Sequence, residues 1–227
     1  MITVVIPTYN ERENIKKLLP GIFRTLKNAE VIVVDDNSQD GTADAIRAMK
    51  LGSVRLISRP GKMGIGSAYK TGFRAARGDI IFEMDADLSH SPAFMPKMLR
   101  AINEGADIVV GSRYMPGGSI VGWGFYRKTV SKAANVLSHM LLGLGVNDVT
   151  SGFRAYRRTA LESINMDEIE SDGYSFQLEI LCKLYRKGFK VKEVPIKFED
   201  RKVGQSKLGR KEMLNYIKTV MRLMVHE

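Results

Sequence analysis

The chain is poor in the residues that often announce chemistry. Its 227 residues hold one cysteine, Cys182, and three histidines, His90, His139 and His226. A single thiol cannot build an intrachain disulfide framework and suits a reducing compartment; it reads as a small buried hydrophobe. The histidines lack metal-ligand spacing, and no Ser-His-Asp or Cys-His arrangement stands out. No apolar run approaches the roughly 18 residues of a spanning helix. The opening "MITVVIPTYN" lacks the basic start and long apolar stretch of a secretory signal. The expectation is a cytosolic protein, or one attached to a membrane from the cytosolic side. Two phosphate fingerprints are also missing. "PTYNE" lacks the glycines of G-x-G-x-x-G, and "GKMGIGSAYKTG" (61–72) lacks the order of a Walker loop. The second stretch remains open between a phosphate loop and a tight turn with close helix packing.

Positive charge is in surplus. The net charge is +10 and the pI about 9.7, which calls for an anionic partner: nucleic acid, phospholipid headgroups or a phosphorylated substrate. Hydrophobic content of 44% and charged content of 26% are ordinary for a globular protein.

Apolar runs alternate with helical patterns. Strands are predicted at 3–7, 29–36, 54–58, 79–85 and 106–112, and helices over about 11–26 and 40–49. A further helix is opened by Ser91 as cap and Pro92 in the first turn. Nearly continuous apolar strands alternating with helices indicate a parallel sheet covered on both faces. After Arg113 comes a glycine-rich loop, "YMPGGSIVGWG", then a helix from Phe125 with a basic first turn. "KVKEVPIKFEDR" (190–201) reads as one strand and "RKVGQSKLG" as a basic loop. The last element is an amphipathic helix with Met213, Leu214, Ile217, Val220, Met221 and Met224 on one face.

Ligands of open α/β sheets bind beyond the carboxyl ends of the strands. Three strands here end in distinctive residues: Pro7-Thr8-Tyr9-Asn10-Glu11, Asp35-Asp36 and Asp85-Ala86-Asp87. Asp85 and Asp87 point to the same side of an extended chain, and like charges so placed require a cation. Mg²⁺ or Mn²⁺ suits two carboxylates, its remaining positions going to water and substrate phosphates. Late in the chain Arg113, Arg127, Arg201 and Lys207 sit in or beside loops, where arginine forks suit phosphate.

These blocks together resemble the family 2 glycosyltransferases of the GT-A fold, and within them the polyprenyl-phosphate sugar transferases of the dolichyl-phosphate mannosyltransferase type. The resemblance runs from "IPTYNERENI" through "VVDDNSQDGT", "MDADLSH", "GSRY", "YRKTVSKAAN", "TSGFRAYRR" and "GYSFQLEI" to "EVPIKFEDRKVGQSKLG". It implies one α/β domain over 1–227, with a nucleotide-sugar-binding part (1–112), an acceptor part and C-terminal amphipathic helices (113–227). The implied reaction is an inverting, metal-dependent transfer of mannose from GDP-mannose to dolichyl or polyprenyl phosphate.

Residue by residue, the resemblance implies that Pro7, Tyr9, Glu11, Val34 and Asp36 hold the nucleoside. Asp85, Ala86 and Asp87 would hold the diphosphate and its metal, with Ser89 completing the metal shell where some similar enzymes carry glutamine. Arg113, Arg201 and Lys207 would clamp phosphates, and Arg127 and Ser131 would meet the lipid phosphate. Many inverting relatives use an acidic base in an E-D pair, which neither "TSGFRAYRR" nor "SDGYSFQLE" contains. A phosphate monoester, with a second pKa of about 6, is already ionised and needs no strong base. The helix from Phe125 suits either a membrane interface or core packing. The chain reaches Glu227 without a spanning segment, so the expected attachment is peripheral on the cytosolic face or through a small membrane-spanning subunit. A UDP-sugar such as UDP-glucose is the alternative donor. A non-catalytic basic module binding nucleic acid or membrane ranks far behind, because it leaves the carboxylates unexplained and recognised nucleic-acid motifs are lacking.

Overall fold

Strand and helix alternate through the first half of the chain in a computed structural model that describes residues 1–201 and 209–225. The order is β1 (Ile2–Thr8), α1 (Arg12–Thr25), β2 (Ala29–Asp35), α2 (Thr42–Ala48), β3 (Val54–Ser58), α3 (Ile65–Ala75), β4 (Ile80–Glu83), α4 (Met95–Asn103) and β5 (Ile108–Ser112). The second half adds β6 (Ser119–Val121), α5 (Phe125–Leu142), β7 (Arg154–Arg157), α6 (Arg158–Glu162), α7 (Tyr174–Arg186), β8 (Val191–Pro195), β9 (Lys197–Glu199) and α8 (Arg210–Val225).

Seven strands form one sheet in the order β3-β2-β1-β4-β7-β5-β8, parallel except for β7, which runs antiparallel between β4 and β5. Side chains alternate across the pleat, so each strand feeds both faces. Val4 and Ile6 pack with Ile15, Leu18, Leu19 and Ile22 of α1 on one side. Val5, Ile32 and Val34 pack with Tyr69 and Phe73 of α3 and Phe176 of α7 on the other. Two filled layers explain why the strands read as unbroken apolar runs.

Local chemistry sets several boundaries. Asp40 lies outside α2, whose N-cap is Gly41 at a φ of 82°; the Asp40 carboxylate ties down the turn before it, accepting the Thr42 amide at 2.9 Å and the Arg12 amide at 3.0 Å. Ser91 Oγ accepts from the Ala93 amide at 3.3 Å, and a 3₁₀ turn at Pro92–Phe94 leads into α4 as the cap signal predicts.

Three expectations need correction. The single strand over 190–201 is two: β8 pairs with β5, while β9 pairs with β6. Between them the Ile196 amide donates to Ser112 O, which turns the chain from one sheet to the other. The glycine-rich loop after Arg113 therefore contains the strand β6. The apolar face assigned to α8 is also split. Tyr216, Val220 and Leu223 point inward, whereas Leu214, Ile217, Met221 and Met224 lie exposed.

The turn before α3 is a packing device. Asp172 accepts from the Gly66 amide at 2.6 Å, so the helix N-terminus holds the protein's own carboxylate where an anion would sit. A Cβ on Gly72 would overlap Val5, which brings α3 against β1.

Candidate active site

β2, β1 and β4 are sheet neighbours, so the three strand ends singled out in the sequence open onto one crevice. The register places Pro7 beside Val34 and Thr8 beside Asp35. Thr8 Oγ1 donates to Asp35 Oδ1 at 2.8 Å, and the Ser38 amide to Asp35 Oδ2 at 3.0 Å. Asp36 is buried in an ion pair with Arg59, whose Nη1 also donates to Ser67 Oγ at 2.6 Å. The Met63 amide donates to Asp36 Oδ2 at 3.1 Å. The crevice wall is thus a hydrogen-bonded frame around two buried aspartates. Tyr9 is exposed, with the Lys62 ammonium 4.1 Å from its ring centroid.

Glu11 faces the crevice from the start of α1. Burial pushes its carboxyl above the usual range, Asn14 donates to it at 2.6 Å and pulls it back, and the Asp87 charge raises it again. Asp85 is pushed up to about 7, first by burial and then by Asp87. Its Oδ1 accepts from the Tyr69 hydroxyl at 2.8 Å, and a Cβ on Gly152 would lie 3.2 Å from its Oδ2. Ala86 is buried between the two aspartates. The turn closes through Leu88, whose φ of 63° is unusual for a branched residue. There the Ser89 amide donates to Asp87 Oδ1 at 3.0 Å. Beneath, on β4, the Glu83 carboxyl is pushed up to about 8 by burial, against the pull of Arg154 at 3.8 Å.

Two crowded carboxylates, with a buried Ser89 hydroxyl that finds no partner among the described residues, fit a hard divalent cation. Among those residues no three acidic, histidine or cysteine side chains cluster for a metal. A cation seated here would meet at most Asp85, Asp87 and the Ser89 hydroxyl, with phosphate oxygens and water filling its other positions.

Arg113, just past β5, is buried and clasped by Asp148. Its backbone amide and Nε donate to Asp148 Oδ2 at 2.9 and 2.7 Å, and its Nη2 to Asp148 Oδ1 at 2.7 Å and Thr150 Oγ1 at 2.7 Å. Burial alone would raise the Asp148 carboxyl, but the guanidinium holds it below the usual range. Arg127 lies 3.9 Å from the Trp123 ring centroid and donates to Asp200 Oδ1 at 2.9 Å. The next residue, Arg201, brings its Nε within 3.7 Å of Asp87 Oδ2. Lys207 lies outside the described residues.

Arg113, Arg127 and Ser131 line one pocket of about 340 Å³. Val130, Ala134 and Leu137 of α5 and Met213, Tyr216 and Ile217 of α8 make its walls apolar. Asp200-Arg201 joins this pocket to the carboxylates. Sequence reasoning missed Asp148, Trp123, Asp200 and Tyr69. Asp148 carried a signal, as an acid between apolar Val146 and Val149, but its partner lies 35 residues away.

The sequence profile of the family described as "Glycosyl transferase family 2" matches residues 3–164. Polyprenol monophosphomannose synthase of Mycolicibacterium smegmatis is 43% identical over 212 residues, covering 91% of this chain and 80% of its own. Undecaprenyl-phosphate mannosyltransferase of Micrococcus luteus is 43% identical over 213 residues, covering 92% and 87%. Among solved structures, glucosyl-3-phosphoglycerate synthase from Mycobacterium tuberculosis, crystallised with Mn²⁺, UDP and glucosyl-3-phosphoglycerate, superposes with a TM-score of 0.74. It is 23% identical, and the match covers 99% of this chain and 80% of that one, a shared fold.

Proposed function

The chain belongs to glycosyl transferase family 2, and from that premise we propose that it transfers mannose from GDP-mannose to the phosphate of a polyprenyl lipid of the dolichyl type. It is a glycosyltransferase with the GT-A fold. The observation that carries the acceptor reading is the apolar pocket with Arg113, Arg127 and Ser131 in its lining, tied by Asp200-Arg201 to the carboxylate pair. The names of the 43% identical relatives support the sugar and the lipid phosphate.

The crevice of β1, β2 and β4 takes the nucleoside, with Tyr9 and Glu11 at its lip and Asp36 in its wall. Asp85, Asp87 and Ser89 hold Mg²⁺ or Mn²⁺. Bound there, the ion offsets the negative charge that grows on the diphosphate as it leaves. Arg127 and Ser131 place the lipid phosphate, whose oxygen attacks the anomeric carbon opposite the leaving group. The nucleophile is already anionic, so the site needs positioning and charge screening more than a base.

The helices around the pocket fit a lipid substrate. α5 is turned inside out: it buries Ser131, Asn135 and Ser138 and exposes Phe125, Tyr126 and Met140, the last at 74%. Its inward polar groups are satisfied. Asn135 Oδ1 accepts from the Val149 amide at 2.7 Å, and Ser138 bonds the Tyr216 hydroxyl at 2.7 Å. The outward apolar faces of α5 and α8 flank the pocket and suit the surface of a bilayer, with the basic surplus drawn to anionic headgroups. No helix of the described residues is long and apolar enough to cross a membrane. A pocket this small seats the phosphate end of the lipid, leaving the remaining chain in the bilayer.

The donor is tested by calorimetric titration of GDP and UDP with Mn²⁺ present. Tighter GDP binding supports the reading, and a preference for UDP replaces the donor with a UDP-sugar.

A further inference from the structure

In the apolar layer between α3, α7 and the sheet, Tyr69 is fully buried. Its ring stacks on Phe73 at 5.8 Å and on Phe176 at 6.0 Å between centroids. These contacts seat the ring in the layer, and its place on α3 sets the reach of the hydroxyl. The hydroxyl points at Asp85 Oδ1, 2.8 Å away.

The second aspartate is tied in the same way, since its Oδ1 accepts the Ser89 amide at 3.0 Å. Each carboxylate thus commits one oxygen to the protein and keeps Oδ2 for other partners. Asp85 Oδ2 lies over the bare Cα of Gly152, and Asp87 Oδ2 already draws the Arg201 guanidinium to 3.7 Å. One oxygen per carboxylate suits a small octahedral ion that must also hold water and phosphate. A free Asp85 could rotate, chelate through both oxygens or swing from Asp87.

We propose that Tyr69 is a positioning residue for the divalent-ion site, orienting Asp85 from α3 without touching substrate. The inference rests on the metal reading of Asp85 and Asp87 above. Outer partners of this kind commonly change metal affinity by roughly 10–100-fold when removed.

The test is Tyr69→Phe, which keeps the ring and its stacking. Mn²⁺ binding to the purified protein, with GDP present, is read by the loss of the free-ion electron paramagnetic resonance signal. Wild type sets the reference. The expectation is a Kd for Mn²⁺ raised about 10–100-fold. Transfer rate should recover toward wild type at high Mn²⁺, and Tm should fall by no more than about 4 °C. Phe176→Leu disturbs the same stack but spares the hydroxyl, so it should lower Tm and leave the Mn²⁺ Kd within about twofold. Unchanged Mn²⁺ affinity in Tyr69→Phe overturns the proposal while leaving the metal site intact. An equal loss in Phe176→Leu also overturns it, because packing alone would then account for the effect. Absence of Mn²⁺ binding by wild type overturns the metal reading itself and this inference with it.

Discussion

Removing the partner of Arg113 should damage the fold before it damages the chemistry. Arg113 is 6% exposed and Asp148 fully buried, with three hydrogen bonds of 2.7–2.9 Å between them. Asp148→Ala leaves a buried guanidinium beside Trp123 and Phe198 without the carboxylate that clasps it. Breaking one side of a buried pair costs about 3–5 kcal/mol. For a chain of this length that is a fall in Tm of roughly 6–20 °C. Circular dichroism melts of wild type, Asp148→Ala and the double variant Arg113→Met/Asp148→Leu would read it. The double variant removes both charges, and its stability should lie within about 1–2 kcal/mol of wild type or above it. The pair also sets an acid limit. Asp148 titrates below the ordinary carboxyl value, so its contribution is present above about pH 3.9 and is lost as pH falls through the lower folded value. Wild type should lose this increment below about pH 4, and Asp148→Asn should have none to lose. A cost below about 1 kcal/mol for Asp148→Ala would be that of a solvated pair, and would refute the view of Arg113 as clasped before any phosphate arrives.

Asp87→Ala should lower turnover by at least about 10³-fold in metal-replete buffer, because the diphosphate loses its charge support; a near-normal rate would remove Asp87 from the site. Met140→Glu with Met221→Glu, at positions 74% and 52% exposed, should weaken binding to anionic vesicles by about 10-fold or more, with Tm unchanged. Equal sedimentation with vesicles would show that this surface does not face lipid. Gly72→Ala should cost about 1–3 kcal/mol in chemical denaturation, since its Cβ overlaps Val5 and α3 must move off the sheet; an unchanged midpoint would contradict that contact.

The strands were legible because burial on both faces leaves a simple signature, a run such as "VIVVD" with no polar alternation. β7 was not, since "RAYR" carries two arginines in four residues. Arg154 stays buried only because Val149 O, Ser151 O and Gln177 O accept from its guanidinium. All three acceptors are backbone carbonyls, two in the loop just before β7 and one on α7, and a pattern of side-chain types does not display them. α7 escaped for the opposite reason: it is buried nearly all round, so its period is blurred. In the site, the aspartates at strand ends could be read from spacing and β-sheet topology. The partners that set their charge could not. Asp148, Asp200 and Tyr69 reach Arg113, Arg127 and Asp85 across 35, 73 and 16 residues. α8 shows how far a hydrophobic stripe can mislead. Its apolar residues do share an arc, but the fold buries one edge of it and leaves the rest facing outward beside the pocket.

The central claim is that the carboxylate pair and the arginine-lined apolar pocket serve one reaction on a lipid phosphate. It is tested most directly by incubating the purified protein with GDP-[¹⁴C]mannose, Mn²⁺ and polyprenyl phosphate in vesicles, and counting label in the organic phase. The account predicts metal-dependent labelling of the lipid that is abolished by chelator and absent with unphosphorylated polyprenol. Label that stays in the aqueous phase with every acceptor, or transfer that proceeds without a lipid phosphate, would contradict it.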